Sequence, residues 1–235
     1  MPGKKAPSAK TLRSIMNELA KLHGEPEPLE TTDALALVLL ENAAYLQTDE
    51  KRRAAFRALE KTVGLRPEQI LMAPREALLA VARMGGMHPE QRAERLREIA
   101  ATVMDEWGGD LDSALDGEPG KAKKALKHFP GIGDPGAEKV LLFSGRLRVL
   151  ALESNGLRVL LRIGFGKESK SYSSSYRSVQ TDLAKETEGA DGAFLIRAHQ
   201  LLRRHGQEIC KTSLPRCEAC PVARSCADYG RRRKR

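Results

Sequence analysis

The chain carries four cysteines and places all of them in one short stretch, HGQEICKTSLPRCEACPVARSC. They are Cys210, Cys217, Cys220 and Cys226, spaced C-x6-C-x2-C-x5-C. Four thiols so close in sequence tie separate turns of backbone to one small volume, which constrains the fold more than any other feature. A chain with 40 Lys and Arg, no signal peptide and no long apolar run reads as cytosolic, where thiols stay reduced. Disulfides are then not expected, and four clustered thiols read as ligands of one soft metal centre. Zn2+ and an iron–sulfur cluster both accept four thiolates. Structural zinc sites usually take their ligands as two short pairs, and here only Cys217 and Cys220 form one. The uneven flanking distances suit a larger body held from separate turns. This favours a [4Fe–4S] cluster and leaves zinc open. Pro215 and Pro221 mark the segment as loop, as a ligand nest requires.

Charge adds a partner class without naming a partner. At 235 residues the chain has room for one large domain or two small ones. Its formal net charge is +9, but the run Arg231, Arg232, Arg233, Lys234, Arg235 supplies five of the 40 basic residues. Without that run, 35 basic residues face 31 acidic ones, so the body is only mildly basic. The run is expected to be a disordered, phosphate-seeking or solubilising tail. The basic balance favours nucleic acid as partner.

The rest reads as helices joined by short Gly/Pro turns. Residues 32–46 (TDALALVLLENAAYL) are apolar nearly all round, as in a helix buried inside a bundle. Pro67, Pro74 and Pro89 each precede helix-forming residues, which fits the first-turn preference of proline. From Pro89 to Trp107, Leu96, Ile99, Val103, Met104 and Trp107 recur at helical spacing. No run of alternating β-branched residues appears, so the fold class is all-α. Residues 164–178 (GFGKESKSYSSSYRS) are expected to form a surface loop, and the residues up to Lys10 to be disordered.

Residues 121–144 (KAKKALKHFPGIGDPGAEKVLLFS) carry the second informative pattern. A basic helix ends at Phe129 and Pro130, a tight turn follows through Gly131, Ile132 and Gly133, and a second helix starts near Asp134. The glycines let the backbone turn sharply and come close to another molecule. Free N–H groups at the start of the second helix favour an anion. Such a hairpin grips a DNA phosphate without reading sequence; an ordinary packing joint between helices is the plain alternative.

Hairpin and cysteine loop together resemble the endonuclease III-like branch of the helix–hairpin–helix DNA glycosylases. The cysteine spacing matches that family's [4Fe–4S] loop. His205, Gly206 and the Pro–Arg before Cys217 are similar to it as well. The segment Leu152–Val159 (LESNGLRV) falls where the family carries its catalytic aspartate, ending in the same Arg–Val. The resemblance covers roughly residues 30 to 228. It implies two helical lobes with DNA in the cleft between them, a structural cluster on the four cysteines, a monomer, and a cytoplasmic protein, nucleoid-associated in a bacterium. The expected organisation is an N-terminal arm and helix (1–30) packing on the cluster lobe, a bundle lobe (31–144) ending in the hairpin, the cluster lobe (145–228) and a basic tail (229–235).

The resemblance also assigns roles. Base removal needs the nucleotide flipped from the stack, and breaking the C1′–N bond builds positive charge on the sugar. A nearby carboxylate stabilises that charge and orients or deprotonates a water. The family's aspartate aligns with Glu153, whose extra methylene moves the carboxylate by on the order of 1 Å, and such a shift can cost about 10²-fold in rate; the plain alternative is a helix-capping or solvated glutamate. Bifunctional members use a lysine two residues after the second hairpin glycine as a Schiff-base nucleophile. Here that residue is Pro135, so lysine-based strand cleavage is not expected. Pro130, Gly131, Ile132, Gly133 and Lys139 are the expected DNA contacts. Glu41, Asn42 and Tyr45 interrupt the buried helix and are base-pocket candidates, the plain alternative being that Glu41 and Asn42 satisfy backbone groups within the bundle. Relatives place a glutamine near there. This chain has Glu41, Asn42 and Ala43, so the usual oxidised-pyrimidine preference does not carry over. The turn Arg83–Met87 is a second candidate to face DNA. The expected partner is duplex DNA holding a damaged or mismatched base. The alternatives are a non-catalytic DNA-binding homologue and a zinc-bound nucleic-acid module.

Overall fold

The computed structural model describes residues 11–44 and 47–233, and among these it contains helices and no strands. The described residues fall into two compact units. One joins the chain up to Pro28 with Arg148 onward; the other spans Leu29–Leu147.

The second unit is built around α2 (Ala34–Ala44), in which every residue but one is buried. Around it pack α3 (Asp49–Thr62), α5 (Arg75–Met84), α6 (Pro89–Trp107), the short α7 (Leu111–Leu115) and α9 (Asp134–Phe143). α4 (Pro67–Met72) lies on α6, and α8 (Pro119–Leu126) on α7 and α9. The absence of an amphipathic pattern in α2 has this physical cause: apolar neighbours on all sides leave no face for water. Pro67 and Pro89 stand at the first helical position, where a missing N–H costs nothing, while Pro74 caps α5. α6 runs over the span its periodicity indicated, with Leu96, Ile99 and Val103 buried, and ends on Gly108 in the left-handed conformation.

The first unit is a smaller helical layer. α1 (Leu12–His23) and α10 (Ser154–Ile163) both pack on α12 (Gly192–Glu208), and α11 (Tyr172–Leu183) and α13 (Ala227–Arg232) pack on α10. α10 has a sharply amphipathic sequence, burying Leu157, Val159 and Leu160.

Two expectations are corrected here. The Ser/Tyr/Gly stretch is not all loop, because α11 begins inside it at Tyr172. Ser171 caps the helix by accepting from the Ser174 N–H, and Tyr176, Val179 and Leu183 supply a buried stripe. The serine hydroxyls fold the preceding loop back: Ser178 accepts from the Lys167 N–H at 2.8 Å and Ser175 from the Ser169 N–H at 2.8 Å. The basic run is likewise not a free arm from its start. Arg231 and Arg232 lie in α13, where Arg232 pairs with Asp228 at 2.7 Å across one helical turn. The residues up to Lys10, and Lys234 and Arg235, lie outside the described residues.

Candidate functional site

All four cysteines line one cavity. Cys210 follows the end of α12, Cys217 and Cys220 flank a 3-10 turn, and Cys226 caps α13. Arginines from α10 fix the loop that carries them. Arg158 donates to the Cys210 carbonyl at 2.9 Å and the Gly206 carbonyl at 2.8 Å. One turn on, Arg162 donates to the carbonyls of Lys211 (2.6 Å) and Thr212 (3.0 Å), with its guanidinium 3.5 Å from the Cys210 sulfur. His205 Nε2 lies 3.4 Å from the Cys220 sulfur, and its Nδ1 shares a 3.0 Å hydrogen bond with His23. Burial, and then the neighbouring His23, pull His205 down to about 4, so the ring is neutral near pH 7. Burial pushes the Cys220 thiol up to about 11. Among the described residues no three His, Cys, Asp or Glu side chains are grouped as ligands of a single ion.

Glu153 stands at the start of α10. It caps the helix, as its plain alternative reading expects, with Oε1 accepting from the Gly156 N–H at 2.8 Å and Oε2 from the Asn155 amide at 2.7 Å. Asn155 in turn accepts from Arg158 at 2.8 Å, so a continuous set of bonds runs from Glu153 to the backbone of the first cysteine. Gly206 makes this possible: a Cβ there would lie 2.7 Å from the Asn155 backbone oxygen. The segment leading into Glu153 lies outside any helix and is buried. Its successive carbonyls are bonded by side chains: Leu150 by Gln180 at 2.8 Å, Ala151 by His199 at 2.7 Å and Leu152 by Tyr172 at 3.2 Å.

The hairpin between α8 and α9 has its glycines outward. Ile132 is buried, Pro130 half-buried, and Gly131 and Gly133 are exposed. Ile132 therefore anchors the turn, closed by its N–H bonding the Phe129 carbonyl at 3.2 Å. Gly131 adopts φ +74°, and a Cβ on it would sit 3.3 Å from Asn42 Oδ1. No side chain caps α9, since Gly133 holds the cap position. The Asp134 carboxylate beside that helix start is bound by Lys127 at 2.8 Å.

Lys139 is not at the surface where a phosphate contact was expected. Its ammonium is buried and paired with Glu41, which also pairs with Arg52. Burial alone would raise the Glu41 carboxyl, but the two cations hold it far below the usual carboxylate range. Of the pocket candidates, Glu41 and Asn42 are thus buried side chains with partners inside the bundle, Asn42 donating to the Val38 carbonyl at 3.2 Å. Tyr45 lies outside the described residues. In the turn Arg83–Met87, Gly85 caps the end of α5, the plainer of the two readings of this turn, and Met87 is 67% exposed. Arg162 was not singled out from sequence, although its place four residues after Arg158 puts both on one face of α10.

No protein-family model matches the chain. It is 27% identical over 201 residues to an endonuclease III of Sulfolobus acidocaldarius, covering 85% of this chain and 84% of that one. To an endonuclease III of Thermotoga maritima it is 23% identical over 222 residues, covering 94% and 93%. Its fold matches the protein in a non-covalent endonuclease III–DNA complex with a TM-score of 0.71 at 21% identity, covering 95% of this chain and 97% of that one. A thermostable thymine-DNA glycosylase matches with a TM-score of 0.66 at 18% identity, covering 94% and 97%. In sequence and in fold, this chain resembles the endonuclease III-like branch of the helix–hairpin–helix glycosylase superfamily.

Proposed function

We propose that the protein is a monofunctional DNA glycosylase that hydrolyses the N-glycosidic bond of an altered base in duplex DNA. The observation that carries this reading is the hold on Glu153. Its carboxylate accepts two hydrogen bonds from groups at the start of α10. A carboxylate has about four acceptor sites, so two remain for a water, and the cap fixes where they point. In the reaction the C1′–N bond breaks, the base leaves with the electron pair, and water attacks C1′ as its proton passes to Glu153. The developing charge on the sugar is stabilised by the same carboxylate. Pro135 has no nucleophilic nitrogen, so no imine with the sugar forms there. Gly131 and Gly133 expose the uncapped start of α9 as a seat for a phosphate.

Cys210, Cys217, Cys220 and Cys226 would hold a [4Fe–4S] cluster. Four thiols that line one shared cavity, delivered from separate short turns at uneven sequence spacing, suit a larger body than a single ion. Bound there, such a cluster would tie the loop after α12 to the start of α13, a structural role that leaves the bond cleavage to the carboxylate.

The test is base release from a panel of duplexes, each with one damaged or mismatched base, read with and without alkali. Strand cleavage only after alkali, lost in Glu153→Gln by 10²-fold or more while DNA affinity stays within about twofold, is the expected result. A borohydride-trapped protein–DNA adduct would overturn the monofunctional assignment. Duplex binding without any base release would identify a DNA-binding homologue that has lost catalysis.

A further inference from the structure

We propose that Tyr172 is a positioning residue that fixes the Glu153 carboxylate, and that the serine-rich stretch around it exists to hold that tyrosine in place. The inference rests on the reading of Glu153 given above. Buried backbone carbonyls need partners, and no strand lies among the described residues to supply them. Three side chains from α11 and α12 therefore take the role of a neighbouring strand along Leu150, Ala151 and Leu152. Tyr172 bonds the last of these carbonyls. The Leu152 C=O and the Glu153 N–H belong to one planar peptide unit, so the tyrosine hydroxyl sets the orientation of the plane from which Glu153 leaves. No other side chain among the three acts on that plane.

The hydroxyl is delivered from a stiff body. Tyr172 is the first residue of α11, immediately after the capping Ser171, and its ring stacks on the buried Tyr176 with centroids 6.1 Å apart and planes 24° apart. The Ser169 and Ser175 bonds close the loop against the same helical turn. Tyr172 is 43% exposed, so burying its ring is not what the position is for. Its hydrogen bond is the feature that a phenylalanine would lack.

Tyr172→Phe keeps the ring stack and removes the bond. In the full chain with its bound metal centre, amide hydrogen exchange is followed at Gly156, whose N–H reports the Glu153 carboxylate, and at Gly164, whose N–H bonds Leu160 at the far end of α10. Gly156 is expected to exchange about tenfold faster with Gly164 unchanged, as for loss of one hydrogen bond. Single-turnover base release should fall about tenfold while duplex affinity holds and the melting temperature drops by only a few degrees, about the loss of one hydrogen bond. Gln180→Leu, which frees the Leu150 carbonyl two residues earlier, should quicken Gly156 less. An unchanged Gly156, or equal acceleration at Gly156 and Gly164, overturns the positioning role. If the unaltered protein releases no base from the panel but Gly156 still quickens, positioning stands and catalysis by Glu153 falls. If Gly156 is unchanged while Glu153→Gln abolishes base release, the reverse holds.

Discussion

The surroundings of the cysteines and those of the hairpin solve the same problem differently. Each must hold polar groups in a fixed place beside apolar helices. Around the cysteines, Arg158 and Arg162 spend their donors on backbone carbonyls of the loop. Around the hairpin, charge is set against charge: Lys123 with Glu138 at 2.5 Å, Lys127 with Asp134 at 2.8 Å, and Lys139 and Arg52 with Glu41. A carbonyl does not titrate, so these arginine–carbonyl bonds persist across pH, while Asp228 beside the cavity adds one charge pair with Arg232. Ion pairs are held only while the carboxylate stays charged. Of the contacts compared, the buried cluster at Glu41 should accordingly be the most acid-labile.

Substitution at Glu41 should break this contrast most severely. Glu41→Gln leaves two buried cations facing each other, at a cost of about 3–5 kcal/mol. The sole tryptophan, Trp107, lies in α6 of the same unit, so urea unfolding followed by its fluorescence reads the loss directly. The folded Glu41 carboxyl lies below its ordinary value of 4.5. Its contribution is therefore present above that value and is lost as pH falls below it toward the folded pKa. The urea midpoint of the unaltered protein should drop with acid below about pH 4.5 by more than that of Glu41→Gln. Identical pH profiles would mean that the Glu41 cluster is not the acid-sensitive element.

A smaller effect is expected at the loop. Arg162→Lys keeps the charge but loses the fork that spans two carbonyls. Retention of the metal centre should weaken about 10–100-fold, measured as iron and acid-labile sulfide per chain after a chelator challenge. Retention equal to that of the unaltered protein would show that Arg158 alone suffices. The smallest effect sharpens the hairpin side. Asp134 places a negative charge at the start of α9, where a DNA phosphate is expected, and Lys127 offsets only part of it. Asp134→Asn should tighten duplex binding about two- to fivefold at low salt, the scale of a charge at a helix end. Weaker binding would instead mean that the Lys127 pair is needed to shape the turn.

Sequence was most informative where one local rule governs. α6 follows from its spacing, the hairpin from two glycines and a following helix start, and the gathering of the thiols from the close spacing of the four cysteines. It was least informative where distant partners decide. The stretch around Tyr172 has loop composition, yet a serine cap and three apolar residues at helical spacing outweigh it. Lys139 reads as a surface cation because nothing near it in sequence shows that Glu41, 98 residues away, will be buried against it. Glu153 was visible only through resemblance. The side chains that hold its segment come from Tyr172, Gln180 and His199, which no local pattern connects to it.

The order in which the chain leaves the ribosome follows from the pairing of α1 with α12. Leu12 bonds Glu186 and Glu25 bonds Arg197 across 174 and 172 residues. At about 5–20 residues per second, α1 waits roughly ten to thirty-five seconds for its partner. The unit between them can close on itself during that interval, while the amphipathic α1, with Leu12, Ile15, Met16 and Leu19 on its apolar face, stays without cover. A nascent chain stalled before α12 should therefore carry a finished hairpin and an exposed, chaperone-binding first helix.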